Sequence, residues 1–282
     1  MATKNHPWLI VILAGAALYS GSVFAAPSVT LVADPAYQQT LLDLLDRARQ
    51  RVAIVHFSFF TEEGFTRQVA EKLVALKREK PELAIRILLE GDKAGVGERN
   101  QKTLALLAGT GIEVKLDAPA RVTHAKLVVV DGREALLGSH NLSNNSLRNN
   151  NETSLLITSP EAAAALQAWA ETVMEHPGEL TTTRCDDGPV TVLTDASYYE
   201  EARRMIQEAR TSLDLAMYFI AYRDEQDVQV KSLLDELVAA AARGVWVRVF
   251  LEQSDTFSLH ITEANRRAAC FLRQRGVQEI YF

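Results

Sequence analysis

The feature that most constrains this chain is an internal duplication. Val29–Phe59, VTLVADPAYQQTLLDLLDRARQRVAIVHFSF, aligns without a gap on Val190–Ile220, VTVLTDASYYEEARRMIQEARTSLDLAMYFI. Asp34 meets Asp195, Tyr37 meets Tyr198, and Ala48-Arg49 meets Ala209-Arg210. Further on, Leu83–Glu90 resembles Val245–Glu252, and Asn100–Leu116 resembles Asn265–Tyr281. A sequence that repeats itself at this length must build one supersecondary unit twice. Each copy alternates short β-branched runs with amphipathic stretches, which predicts an α/β fold: two pseudo-symmetric lobes, each a mixed β-sheet flanked by helices. With 282 residues, 48% of them hydrophobic, the chain can fill two cores. The first lobe is expected over residues 27–176. It closes on the helix SPEAAAALQAWAETVMEH, with Ser159 as cap and Pro160 in the first turn. The turn-rich PGELTTTRCDDGP reads as a linker at 177–188, and the second lobe runs over 189–282.

Within the first copy, HAKLVVVDGREALLGSHN (His124–Asn141) carries polar groups where a core hairpin would place Val and Leu. Asp131-Gly132 is a strong two-residue hairpin turn, since both positions tolerate positive φ. Such a turn sets Lys126 opposite Leu137 and His124 opposite Ser139. His124, Lys126 and Ser139 then share one face, and Asn141 leaves at the same end. Asp131 sits seven residues from His124, roughly 23 Å along an extended strand, and is expected to hold the turn by accepting backbone N–H bonds. The chemistry that suits the cluster is attack on phosphorus. A neutral imidazole is a nucleophile near neutral pH. A lysine and an asparagine, with Ser139 beside them, can hold phosphate oxygens as charge builds. A carboxylate on the other ring nitrogen would fix the tautomer, and Glu152 is the candidate. No metal-ligand spacing lies nearby, so a reaction without metal or cofactor is expected.

The pattern His124-x-Lys126-x4-Asp131-x6-Gly138-Ser139-x-Asn141 resembles the HKD signature of the phospholipase D superfamily, and NLSNNSLRNNNE is similar to the stretch carrying that family's downstream glutamate. The resemblance implies a phosphodiesterase that proceeds through a phosphohistidine. His124, Lys126, Asp131, Asn141 and Glu152 would be its catalytic set, and Lys126, Ser139 and Asn141 its substrate contacts. In that family two motifs form one active site: one histidine attacks, and the other protonates the leaving group. Here His124 lies thirteen residues beyond Gly111, which places a second histidine near position 289, beyond Phe282. The second lobe is therefore expected to be incomplete at its C-terminus, as in a fragment of a longer monomeric enzyme. The alternatives are a single-motif chain whose homodimer completes the site, and a degenerate second lobe.

The N-terminal MATKNHPWLIVILAGAALYSGSVFAAPS has the anatomy of a secretory signal peptide over residues 1–25, which implies a periplasmic or secreted protein; an uncleaved anchor is the alternative. A formal charge of −6 lacks the basic excess of a general nucleic-acid binder. Phospholipid is thus the expected substrate, met transiently at a membrane surface. An exported nuclease and a non-enzymatic lipid-binding protein are the other readings. GDKAGVGERN lacks the spacing of a dinucleotide or Walker loop, which excludes a nucleotide cradle there. Cys185 and Cys270 would meet an oxidising compartment. A bridge between them is one expectation, and a buried free thiol at Cys270 the other. His56 ends a strand but aligns with Met217; His140 is expected on the opposite face from His124, in a structural role.

Overall fold

The computed structural model describes residues 12–13, 27–62, 64–119, 121–179, 181–188, 190–223, 228–253 and 259–282. The expected signal peptide, apart from Ile12 and Leu13, lies outside these residues. Two units make up the chain, Met1–Tyr198 and Tyr199–Phe282.

In the first unit the order is β1 (Ile12–Leu13), β2 (Ser28–Ala33), α1 (Asp34–Asp46), β3 (Arg51–His56), α2 (Gly64–Glu79), β4 (Ala84–Leu89), α3 (Gly97–Leu107), β5 (Glu113–Leu116), β6 (Lys126–Val130), β7 (Glu134–Gly138), α4 (Asn144–Arg148), β8 (Thr153–Thr158), α5 (Pro160–Glu175), β9 (Arg184–Asp187) and β10 (Val190–Leu193). A seven-stranded mixed sheet runs β2-β8-β7-β6-β3-β4-β5. Strands β3, β4 and β5 are parallel, and the remaining neighbours are antiparallel.

The central strands are apolar on both faces because helices cover both sides. Val52 and Ile54 of β3 join Val128 of β6 in one core with Leu41, Leu44 and Leu45 of α1 and Val69 and Leu73 of α2. Ala53 and Val55 turn the other way, with Val129 and Leu137, onto Ala163, Leu166 and Trp169 of α5. Helix α5 begins as its sequence predicts: the Ser159 hydroxyl accepts the Ala162 N–H and Pro160 fills the first turn.

The expected linker is structured. Arg184–Asp187 pairs antiparallel with Val190–Leu193, and Val190 and Val192 are buried against the Trp169, Ala170 and Met174 side of α5. The first compact unit therefore runs on to Tyr198, past the boundaries at 176 and 189 drawn from the repeat. Burial of one alternating strand face holds this hairpin to the helix before it.

The second unit contains α6 (Ser197–Glu208, entered from the first unit), β11 (Ser212–Met217), α7 (Val228–Ala242), β12 (Trp246–Leu251), α8 (Leu259–Arg273) and β13 (Glu279–Tyr281). Its strands form a parallel sheet in the order β11-β12-β13, which repeats β3-β4-β5. Val247, Val249, Leu237, Phe271 and Leu272 fill its core.

One buried contact shows how closely the copies agree. Asn100 Oδ1 accepts the Phe59 N–H, and its Nδ2 donates to the carbonyls of Phe57 and Glu90. Asn265 Oδ1 accepts the Ile220 N–H, and its Nδ2 donates to Tyr218 and Glu252. These are the same three partners under the sequence alignment. Both cysteines are free, and Cys270 is exposed rather than buried. The apolar stripe of α8 passes through Ala268, Ala269, Phe271 and Leu272, leaving Cys270 off it.

Candidate active site

The hairpin forms, with one residue more in its loop than a two-residue turn needs. Asp131 and Gly132 both take positive φ, at 55° and 63°, and the Arg133 N–H donates to the Val130 carbonyl at 3.0 Å. Arg133 is then extra, because the ladder resumes at Val130 opposite Glu134, with Val129 opposite Ala135, Val128 opposite Leu136 and Leu127 opposite Leu137. The expected pairing of Lys126 with Leu137 and His124 with Ser139 is corrected by one position. A one-residue slip exchanges the faces of every side chain on the strand. Ser139 consequently leaves the Lys126 face. Its exposed hydroxyl donates to the Thr153 carbonyl (3.2 Å) and accepts the Thr153 N–H (3.0 Å), tying β7 to β8. His140 takes the face that Ser139 was expected to hold.

Lys126 opens β6 directly across from His56 of β3, and both side chains are buried. The ammonium donates to the His124 carbonyl at 2.7 Å and lies 3.2 Å from Nδ1 and 3.3 Å from Nε2 of the His124 ring. Phe57 closes this pair from one side: its ring centroid is 4.8 Å from that of His124 and 5.1 Å from the Lys126 nitrogen. Burial pulls the Lys126 pKa down to about 7, with the negative charge of Glu152 opposing it. Burial likewise lowers His56 to about 3, helped by the Lys126 charge, so its imidazole stays neutral.

Glu152 precedes β8. Its Oε1 accepts from the Ser146 hydroxyl (2.7 Å) and from Asn150 Nδ2 (2.9 Å), and its N–H donates to Asp34 Oδ1 (2.8 Å). Ser146 also accepts the Asn141 N–H at 2.8 Å, so Asn141 and Glu152 are joined through one hydroxyl. Asn141 Oδ1 is buried without a protein partner among the described residues. Asn141 borders a cavity of about 280 Å³ shared with Phe57, Ser58, Phe60 and Arg99. Asp131 stands apart from these groups. Its carboxylate accepts the N–H groups of Arg49, Gln50 and Arg51 at 2.7–2.9 Å, so it locks the hairpin tip to the start of β3.

Sequence reasoning missed a buried layer beneath the site. The His140 ring stacks on Tyr37 at 4.0 Å, its Nδ1 is 2.9 Å from the Ser154 hydroxyl, and its Nε2 is 3.3 Å from Asp34 Oδ1. Burial lowers the His140 pKa, while Glu152 and Asp34 oppose the shift. Asp34 and Tyr37 were visible as positions shared by the two repeats; His140 had no such signal. Gly138 is required by β8, since a Cβ there would lie 2.3 Å from Ser154 Oγ and from the Thr153 carbonyl oxygen. Gly138→Ala is expected to lower stability by about 1–3 kcal/mol through overpacking, read as a drop in denaturation midpoint; an unchanged midpoint would refute the close approach.

Residues 41–174 match the family described as cardiolipin synthase, phospholipase D-like domain. Among solved structures, the phosphatidylserine synthase of Haemophilus influenzae is similar at 11% identity and TM-score 0.64, over 87% of this chain and 69% of that one. The polyphosphate kinase of Porphyromonas gingivalis is similar at 13% identity and TM-score 0.54, over 80% of this chain and 38% of that one. The phospholipase D family member Nuc of Salmonella typhimurium shares 20% identity over 54% of this chain and 97% of its own, at TM-score 0.47. No curated protein sequence matches the chain. The matched segment carries the whole hairpin, Gly138, Asn141 and Glu152 on a helix-covered mixed sheet, and it is this segment of the chain that matches the phospholipase D-like domain family.

Proposed function

We propose that the protein is a phospholipase D-type phosphodiesterase in which His124 attacks phosphorus, with a phospholipid as substrate. The observation that carries this reading is the Lys126 ammonium held against both ring nitrogens of His124. An imidazole nitrogen that bonds to phosphorus beside a buried cation meets the incoming negative charge where water screens it least. The N–P bond forms as the P–O bond to the leaving alcohol breaks; that oxygen takes up a proton, and water or an alcohol then cleaves the N–P bond. The 282 residues contain one H-x-K, so in this reading the proton donor of the first step comes from a second motif outside them, in the same chain or another copy. Asn141 contributes a polar group to the lining of the neighbouring cavity. Ser139 acts through the backbone of Thr153, and Asp131 through the frame. The lipid reading is supported by the cardiolipin synthase description of the matching family, by the acidic charge balance and by the apolar N-terminal stretch, which in this proposal is a leader that exports the protein.

The test is a side-by-side assay on phosphatidylcholine vesicles and single-stranded DNA. Release of the headgroup, lost in His124→Ala, is the expected result. Cleavage of DNA with intact lipid would replace this reading with the nuclease one, and inertness toward both would end it.

Lys126→Ala is expected to lower turnover by about 10²–10³-fold, the equivalent of removing one oxyanion donor. The low pKa of Lys126 adds a pH signature. The group is positively charged below about 7 and neutral above, so it attracts an anion on the acid side only. Affinity for sulfate, whose own charge is constant across the neutral range, should fall as pH rises through about 7. Titration calorimetry at several pH values checks this, and Lys126→Met should flatten the profile.

A further inference from the structure

The segment that delivers His124 is gripped by two carboxyl groups outside the HKD pattern. Glu90 follows β4 and Asp117 follows β5, and the pairing of Leu89 with Leu116 brings them side by side. Glu90 is fully buried and Asp117 nearly so. Glu90 Oε1 accepts the N–H groups of Asp92 (2.9 Å) and Lys93 (2.7 Å), and Asp117 Oδ1 accepts that of Gly91 (2.7 Å). Their other oxygens converge: Glu90 Oε2 and Asp117 Oδ2 each lie 2.8 Å from the Thr123 nitrogen. One backbone N–H, immediately before His124, is held by two acids.

Two like charges cannot both be kept in such a place at low cost. Burial and the Asp117 charge accordingly raise the Glu90 pKa, with the Lys93 and Asp92 N–H groups opposing the shift. The second copy preserves Glu252 at the Glu90 position, but the residue aligned with Asp117 is Phe282. The frame contact made by Asn100 and Asn265 occurs in both copies, whereas the acid pair occurs in the first.

We infer that Glu90 and Asp117 are positioning residues for His124: through the shared Thr123 N–H they fix the backbone that aims the imidazole between Lys126 and Phe57. This rests on His124 being the attacking group, and the experiment separates the two claims. Glu90→Gln keeps one acceptor oxygen and gains an amide that can donate to Asp117, which then remains as the acceptor of the Thr123 N–H. It should retain kcat within about threefold. Glu90→Ala, Asp117→Ala and the double variant Glu90→Gln/Asp117→Asn should each lose about tenfold or more in kcat with KM little changed.

The second readout needs no activity. The His124 Hε1 NMR signal carries a ring-current shift from Phe57, and it should be kept in Glu90→Gln and move toward the unshifted position in the other three. A signal unmoved in all four folded variants overturns the inference, as does a full kcat in the double variant. If an alanine variant fails to fold, the near-isosteric double variant decides. An inactive parent whose His124 signal moves as described would sink the proposed reaction while supporting the positioning role.

Discussion

His124→Ala is expected to lower phosphodiester turnover by a factor on the order of 10⁶, the scale seen when a covalent nucleophile is removed from a hydrolase. The fold should survive. His124 precedes β6 and is half-exposed. The segment is anchored through main-chain groups: the Thr123 N–H on two acids, the Ala125 carbonyl on the Phe57 N–H, and the His124 carbonyl on Lys126. None of these needs the imidazole. Turnover measured beside the thermal midpoint separates chemistry from folding. A variant as active as the parent would remove His124 from the mechanism, and His124→Asn, which keeps a polar side chain of similar reach, should be equally inactive.

The second large effect concerns stability. Asn100→Ala removes an acceptor from the Phe59 N–H and donors from the carbonyls of Phe57 and Glu90, in a site closed to water. Each buried group left unpartnered costs about 1–3 kcal/mol, so a total of about 3–5 kcal/mol is expected once partial relaxation is allowed. For a unit of this size that corresponds to a fall of about 10 °C in Tm. Asn265→Ala should destabilise the second unit by a similar amount, because its three bonds have the same partners under the repeat. Denaturant unfolding of both variants checks the pair. A loss below about 1 kcal/mol at either position would show that water or a neighbour replaces the amide.

Much of the fold was legible because its signals are local or periodic. The repeat predicted two α/β units, and both show the same helix-covered run of three parallel strands. Ser159 and Pro160 predicted the start of α5, since a cap needs only its own first turn. The Asp131-Gly132 turn was legible for the same reason: positive φ is a property of two residues. What failed was the count of residues in the loop. Whether Arg133 belongs to the turn or to the ladder depends on how β7 packs against β8 and α5, and that packing is non-local. The error was small in sequence and large in consequence, because it moved Ser139 off the Lys126 face and put His140 there. The linker failed similarly: a polar, turn-rich stretch contains no hint that Val190 and Val192 will find an apolar surface on α5.

The sequence by itself determined the chemistry on offer. It supplied an imidazole and an amine two residues apart, a glycine where β8 comes too close for a Cβ, and a duplicated frame to carry them. Tertiary structure decided which of those groups meet. Lys126 reaches His124 because β6 is sandwiched beside β3 with its ammonium cut off from water, and that burial is also what pulls its pKa to about 7. Asp131 is drawn to the N–H groups of Arg49, Gln50 and Arg51, about eighty residues away in the chain. Glu90 and Asp117 converge on Thr123 only once β4 and β5 lie side by side. Electrostatic and hydrogen-bond energies depend on separation in space and on the surrounding medium, and neither quantity is written along the chain.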